Sequence, residues 1–129
     1  MQEKDEVFQL ADKVRETSFQ LHSYLRHGHL EKIDENGLAS RLRKAGVSLE
    51  TQHPLQVFDE DGTVLGDYKV DMLVEGHLIV EIKACQTLTD DHTAQLLGYL
   101  RASRKEHGLL INFGSPRLQI RKFVFSDPH

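Results

Sequence analysis

The sequence predicts an α/β fold of the mixed α+β kind with the element order ααβββαββ, and three observations predict it. Apolar residues recur every three or four positions from residue 3 to about 45, the spacing of amphipathic helices. The period then switches, with apolar and polar residues alternating from Ser48 to Phe58 and two β-branched runs following as far as Ala84. A further helical stretch, 89–106, precedes two short apolar strands. There is no repeat, low-complexity tract or linker, so residues 1–129 are expected to form one domain.

The elements follow in order. Residues 3–25 place Val7, Leu10, Ala11, Val14, Leu21 and Leu25 on one helical face, with Gly28 as a stop. A second helix, roughly 29–45, presents Leu30, Ile33, Leu38, Leu42 and Ala45 and ends at Gly46. Glu31 borders that face, where a first-turn carboxylate also suits the helix dipole. The strand Ser48–Phe58 contains Pro54, which places it at an edge or a bulge. Asp59-Glu60-Asp61-Gly62 is a turn, and Val64–Val74 and Leu78–Lys83 make a hairpin. Thr89 caps a third helix reaching about Glu106, with Asp90 and Asp91 in its first turn. On that helix His92, Gln95 and Tyr99 share a face, while Leu96, Leu97 and Leu100 form the apolar stripe. Gly108 ends it and Leu109–Phe113 is a strand. Leu118–Phe125 is the last strand, its alternation slipping at Arg121-Lys122 as at a bulge, and Ser126–His129 is a tail.

Composition excludes several classes. With 39% hydrophobic and 28% charged residues the chain is not intrinsically disordered. No apolar run approaches the length of a membrane span (about 18 residues), and the charged amino terminus is not a signal peptide. Cys85 is the single cysteine, which rules out an internal disulfide, an iron–sulfur cluster or a Cys-based zinc site and leaves a small packed residue. These features suit a cytoplasmic protein. His27-x-His29 stands without partners at zinc-site spacing. The net charge of −4 argues against nucleic acid, but it is unevenly spread. Residues 96–129 hold six Lys or Arg against Glu106 and Asp127, a local +4 that leaves −8 on the first 95 residues. Arg101, Arg104, Arg117 and Arg121 are therefore candidates for phosphate contacts, the alternative being ordinary solvated surface.

The chemistry concentrates between Tyr68 and Ala84. Asp71, Glu81 and Lys83 are set into β-branched strands, where an ionised group needs a partner, a metal or water. Hard cations such as Mg²⁺ take oxygen ligands, commonly one or two carboxylates, and keep positions for water and phosphate. Glu81 and Lys83 are two apart and point to the same face. Asp71 joins them only under one condition. A two-residue turn at Glu75-Gly76 sets Asp71 opposite Val80 and away from Glu81, whereas a turn that includes His77, or a bulge, aligns it with Glu81. An Asp71–Lys83 ion pair without metal is the plain alternative.

A Glu on an early helix, an Asp and Glu-x-Lys strand pair and a following helix together resemble the PD-(D/E)XK nuclease superfamily. Within it, the chain is similar to the small bacterial GxxExxY proteins. The matching segments are Gly28–Glu31, Asp71–Val74, Val80–Ala84, His92–Leu100 and Gly108–Gly114, so the resemblance covers nearly the whole chain from about residue 7. The ordered block from Val80 to Gly114 carries it better than the short Asp-x9-Glu-x-Lys pattern. Gln95-x-x-x-Tyr99 also resembles the Gln-x-x-x-Tyr element of RecB-like nucleases. Where the GxxExxY motif has Tyr this chain has Asp34, so an aromatic anchor is lost and a carboxylate either joins the site or faces solvent. Gly37 costs the helix up to about 1 kcal/mol relative to Ala.

The resemblance implies a restriction-endonuclease-like core, a central mixed sheet flanked by helices. It implies Mg²⁺ or Mn²⁺ held by Asp71 and Glu81, with Glu31 joining directly or through water. Lys83 would orient and polarise the attacking water or stabilise charge on the phosphate. Gln95 and Tyr99 would hydrogen-bond the scissile strand or the groups around the site, with His92 assisting. The plain alternatives are Gln95 bonded to nearby backbone, Tyr99 as core and His92 as a surface residue. The implied reaction is metal-dependent hydrolysis of phosphodiesters, in DNA before RNA. A different class stays open beside it: a catalytically inactive module of the same fold that binds nucleic acid or a protein partner. With 129 residues there is little surface to wrap a duplex, so a homodimer or a larger partner fits either reading.

Overall fold

Five strands and three helices make up the chain in a computed structural model that describes residues 2–125, with side chains from residue 6. The predicted tail, 126–129, lies outside the described residues. In chain order the elements are α1 (Gln2–Leu25), α2 (Glu31–Lys44), β1 (Leu49–Phe58), β2 (Val64–Val74), β3 (Leu78–Lys83), α3 (Asp90–Ser103), β4 (His107–Asn112) and β5 (Gln119–Val124). This is the predicted order. Among the described residues no helix is long and apolar enough to cross a membrane.

The sheet runs β1-β2-β3-β4-β5. All neighbours are antiparallel except β3 and β4, which are parallel and joined by α3; parallel neighbours need such a crossover. Every residue of β4, and all of β3 but Lys83, is buried, as central parallel strands are. One core cluster gathers α1 and α2 residues (Ala11, Val14, Leu38, Leu42) with Met72, Val80, Ile82 and Ile111. A second gathers α3 residues (Leu96, Tyr99, Leu100) with Val70, Ile79 and Leu110. The helices thus lie on opposite faces of the sheet. β1, with Pro54, is at the edge, as its proline requires.

Both helix starts follow from local chemistry. α2 has no side-chain cap, but Glu31 and Asp34 in its first turn and Arg41, Arg43 and Lys44 in its last complement its dipole. α3 opens with a capping box in which Thr89 Oγ1 accepts from the His92 amide at 3.3 Å and His92 Nδ1 accepts from the Thr89 amide at 3.1 Å.

Three expectations need correction. α3 stops at Ser103, before Glu106, because Arg104 takes the left-handed conformation (φ 61°) at its C-cap. Gly108, expected to end the helix, lies inside β4, where a Cβ would sit 3.1–3.2 Å from Leu96 and Leu100 side chains, so its role is to let α3 pack closely. Nor is there a bulge at Arg121-Lys122, since the β4–β5 register is unbroken across Leu110↔Arg121 and Leu109↔Lys122. The apolar alternation slips there because Arg121 turns to the α3 side, where Nη1 donates to Thr93 Oγ1 at 2.9 Å.

Candidate active site

The β2–β3 connection decides whether Asp71 and Glu81 meet. Val74 pairs with Leu78, so the loop is Glu75-Gly76-His77, the longer of the two alternatives. Glu75 (φ 52°) and Gly76 (φ 72°) both take positive φ, and the Glu75 carboxylate accepts from the Ser48 amide at 2.6 Å, fixing the turn against β1. The ladder Val74↔Leu78, Leu73↔Ile79, Met72↔Val80 then brings Asp71 level with Glu81.

At that level the strands part. The Asp71 amide donates to Glu81 Oε2 at 2.7 Å, and the Ile82 amide donates to Asp71 Oδ2 at 2.8 Å. Each carboxylate has replaced the backbone carbonyl that a continuing ladder would supply, and together they fill the fork. A second irregularity opens it. Gln52 sits at φ 51° between the pairs Thr51↔Met72 and His53↔Val70. Across it the strand turns over: Val70 packs on the α3 side while Met72 and Val74 pack toward α1 and α2. Asp71, at the crossover, is half-buried between the two faces.

The remaining side chains converge from both helices. Lys83 Nζ donates to Gln95 Oε1 at 2.9 Å, joining β3 to α3. Tyr99, one turn further along α3, is buried under Tyr68 with ring centroids 5.0 Å apart. Glu31, at the first turn of α2, lies close enough to Asp71, Lys83 and the Ala84 backbone to feel their charges and dipoles. The expected Asp71, Glu81, Lys83, Gln95, Tyr99 and Glu31 are thus brought to the C-terminal end of β3. His92 is engaged in the α3 cap.

Electrostatics mark the cluster as crowded with negative charge. Burial, then the charge of Asp71, pushes Glu81 up to about 8, against the opposing Asp71 amide and Lys83. Asp71 is raised by burial and by the charge of Glu35, with the Ile82 amide opposing. Burial and then Asp71 raise Glu31. Tyr99 is pushed up to about 12 by burial and by the charges of Glu81 and Asp71. Among the described residues no three His, Cys, Asp or Glu side chains are gathered around one point as a ready cation site. The donor chemistry nevertheless suits a hard divalent cation, because the carboxylates of Asp71, Glu81 and Glu31 repel one another and a cation relieves that repulsion.

The sequence profile of the PD-(D/E)XK nuclease superfamily matches residues 8–123. The chain belongs to this superfamily. Its members act on nucleic acid and typically use divalent metals. The fold is also similar to a crystal structure described as that of SSO0001, with a TM-score of 0.61 and 22% identity. That match covers 72% of this chain and 48% of the other, so the chain spans about half the length of that relative. No curated protein matches the sequence.

Two residues of this PD-(D/E)XK chain escaped sequence reading. Glu35 is 3% exposed, and its Oε1 accepts from Gln52 Nε2 at 2.8 Å while its Oε2 pairs with Lys32 Nζ at 2.8 Å. Gln52 Nε2 also reaches Asp71 Oδ1 at 3.3 Å, so one amide links a carboxylate of α2 to one of β2. The available signal was the Glu31/Glu35 spacing, which puts both on one face of α2.

Asp34 neither joins the carboxylates nor faces solvent. It is 1% exposed, Oδ1 has no hydrogen-bond partner, and burial raises its pKa while positive charge on His29 and His22 opposes. Of the candidate arginines, Arg101 lies over the Phe125 ring at 5.5 Å, Arg104 is the C-cap of α3, and Arg117 is exposed after β4. Arg121 bonds Leu88 O, Thr89 O and Thr93 Oγ1, tying β5 to the start of α3.

The carboxylate cluster predicts a pH dependence. Folded Glu81 holds its proton more tightly than the unfolded chain does. Its stabilising contribution is therefore complete below pH 4.5 and lost as pH rises through about 8. Asp71 and Glu31, also raised, act in the same direction. The urea midpoint of metal-free protein is expected to fall across that window, and Glu81→Gln to flatten the fall. A midpoint rising toward pH 8 would contradict the assignment.

Proposed function

We propose that this chain is a metal-dependent nuclease that hydrolyses phosphodiester bonds, in DNA before RNA. The observation that carries the reading is the three-residue turn that aligns Asp71 with Glu81 while Lys83 shares Glu81's strand face. In this reading Asp71 and Glu81 hold Mg²⁺ or Mn²⁺, with Glu31 as a further ligand directly or through water. When bound, the cation supplies charge neutralisation at the scissile phosphate and acidifies water. Lys83, held by Gln95 at 2.9 Å, presents an ammonium that orients the attacking water or steadies charge developing on the phosphate. Tyr99, whose hydroxyl stays protonated across the working pH range, donates to the substrate strand or to the carboxylates. Arg101, Arg104 and Arg117 contact phosphates along the backbone; Arg121 acts indirectly by fixing the start of α3.

The GxxExxY proteins and the RecB-like Gln-x-x-x-Tyr element are the finer relatives we infer. A single cytoplasmic domain of residues 1–129, acting as a homodimer or with a larger partner, completes the reading. Asp34 in place of the motif tyrosine favours the second reading, an inactive module that binds nucleic acid or a protein partner with no response to EDTA.

Calorimetric titration with Mn²⁺ tests the metal assignment. Parent protein is expected to bind with an affinity that rises with pH up to about 8, as Glu81 gives up its proton. The Asp71→Ala, Glu81→Ala double variant is expected to lose the binding. Unchanged binding in that variant would place any metal elsewhere.

A further inference from the structure

Beyond the carboxylates lies a cleft of about 470 Å³ between the tip of the β1–β2 hairpin and the last turn of α3. Phe58, Asp59, Glu60 and Tyr68 line it from the hairpin, and Arg101 and Arg104 from the helix. Two of these side chains are out of keeping with a solvated strand end: Phe58 is 55% exposed and Tyr68 47%. Neither has enough cover to be core, and both are planar π-surfaces. Tyr68 also packs against Tyr99, with centroids 5.0 Å apart and the rings tilted at 59°, and Tyr99 feels the charges of Glu81 and Asp71. Tyr68 and Asp71 lie three residues apart on β2, so the cleft and the carboxylates share one strand.

We propose that this cleft seats an unpaired nucleotide strand, so that the substrate is single-stranded nucleic acid, DNA or RNA, fed along Tyr68 toward Asp71 and Glu81. The proposal rests on the nuclease reading above and deepens it. The chemistry is complementary on each wall. Exposed aromatic faces stack bases, which only an unpaired strand can offer because a duplex keeps its bases stacked on each other. Arg101 and Arg104 supply the positive charge for the connecting phosphates. Asp59 and Glu60 disfavour phosphate on the hairpin wall and accept hydrogen bonds from base amino groups, so the backbone lies on the helix side and the bases on the hairpin side. The volume is that of a small-ligand pocket, room for one or two nucleotides rather than a duplex.

The test is fluorescence anisotropy of the full chain in EDTA, where binding is read without cleavage. The probes are labelled oligonucleotides of about 12 nucleotides, as single-stranded DNA, single-stranded RNA and duplex DNA of one sequence. At least one single strand is expected to bind more tightly than the duplex, and the tighter of the two identifies the natural source. The Phe58→Ala, Tyr68→Ala double variant is expected to weaken single-strand binding by about tenfold or more. Tyr68→Phe, which keeps the ring, should restore Tyr68's share. Arg104→Ala should weaken binding and reduce its salt slope by about one. Unfolding midpoints of all variants, measured in parallel, show that these surface changes leave the fold intact. Equal or tighter duplex binding, unchanged affinity in the double variant, or no binding of any probe would overturn the proposal. Because no metal is present, the outcome is separate from the nuclease reading: single-strand binding without metal-dependent cleavage would sink the latter alone.

Discussion

Lys83→Ala is expected to lower metal-dependent cleavage by about 10²- to 10³-fold, the usual cost of removing one preorganised group that steadies transition-state charge. Lys83 is the one ammonium among the groups acting on Glu31, Asp71 and Glu81, and in each case it favours the ionised form. Its removal therefore raises the carboxylate pKa values further without deleting a ligand. Mn²⁺ binding is expected to persist in the variant, with its pH dependence moved to higher pH. The split matters, because loss of cleavage with retained metal is a signature that general unfolding does not give. Gln95→Ala leaves the ammonium in place but without its 2.9 Å anchor, and is expected to cost less. Single-turnover rates beside calorimetry check both, and near-parent cleavage by Lys83→Ala would remove the residue from the mechanism.

The largest expected effect on stability is at Gly114. A Cβ built there would lie 2.3 Å from the Cys85 nitrogen, 2.5 Å from the Ala84 carbonyl carbon and 2.6 Å from the Cys85 oxygen. All three are backbone atoms and cannot swing aside as a side-chain tip can. The same segment is knotted by Asn112, whose Oδ1 accepts from the Cys85 and Gly114 amides and whose Nδ2 donates to Cys85 O. Gly114→Ala must push the chain after Lys83 away from β4 and break that knot. The expected loss is about 3 kcal/mol or more, above the usual range for overpacking. Gly108→Ala is expected to cost less, since its Cβ would meet only the Leu96 and Leu100 side-chain ends at 3.1–3.2 Å. Urea midpoints with unchanged slope measure both. Gly114→Ala protein as stable as the parent would contradict the packing described.

Much of this fold is legible in the sequence. Helix and strand periods change sharply at Ser48, so the ααβββαββ order follows from pattern alone, and Asp71, Glu81 and Lys83 stand out because charge is costly in β-branched strands. What stayed hidden has physical reasons. Both turn lengths are compatible with Glu75-Gly76, because Glu75 can adopt the positive φ that glycine takes easily; only the Ser48–Glu75 bond and the β1 register select the longer loop. Gln52 reads as one more polar residue of an alternating strand, yet its φ of 51° turns the strand over and aims its amide at two carboxylates. Glu35 shares a face of α2 with Glu31 by spacing, but only the fold brings Gln52 over it. Arg121 has the composition of a phosphate contact and the geometry of a brace, a distinction that depends on where α3 begins.

The central claim, that the aligned carboxylates and Lys83 hydrolyse phosphodiesters, is tested most directly by incubating the parent protein with labelled single- and double-stranded DNA and RNA. Mg²⁺, Mn²⁺ and EDTA are compared, with Lys83→Ala protein as the control for contaminating nuclease. The account predicts cleavage with either metal, none in EDTA, and loss of that activity in the variant. Cleavage that survives EDTA or the Lys83 substitution, or a folded protein that cleaves none of the substrates, would contradict it.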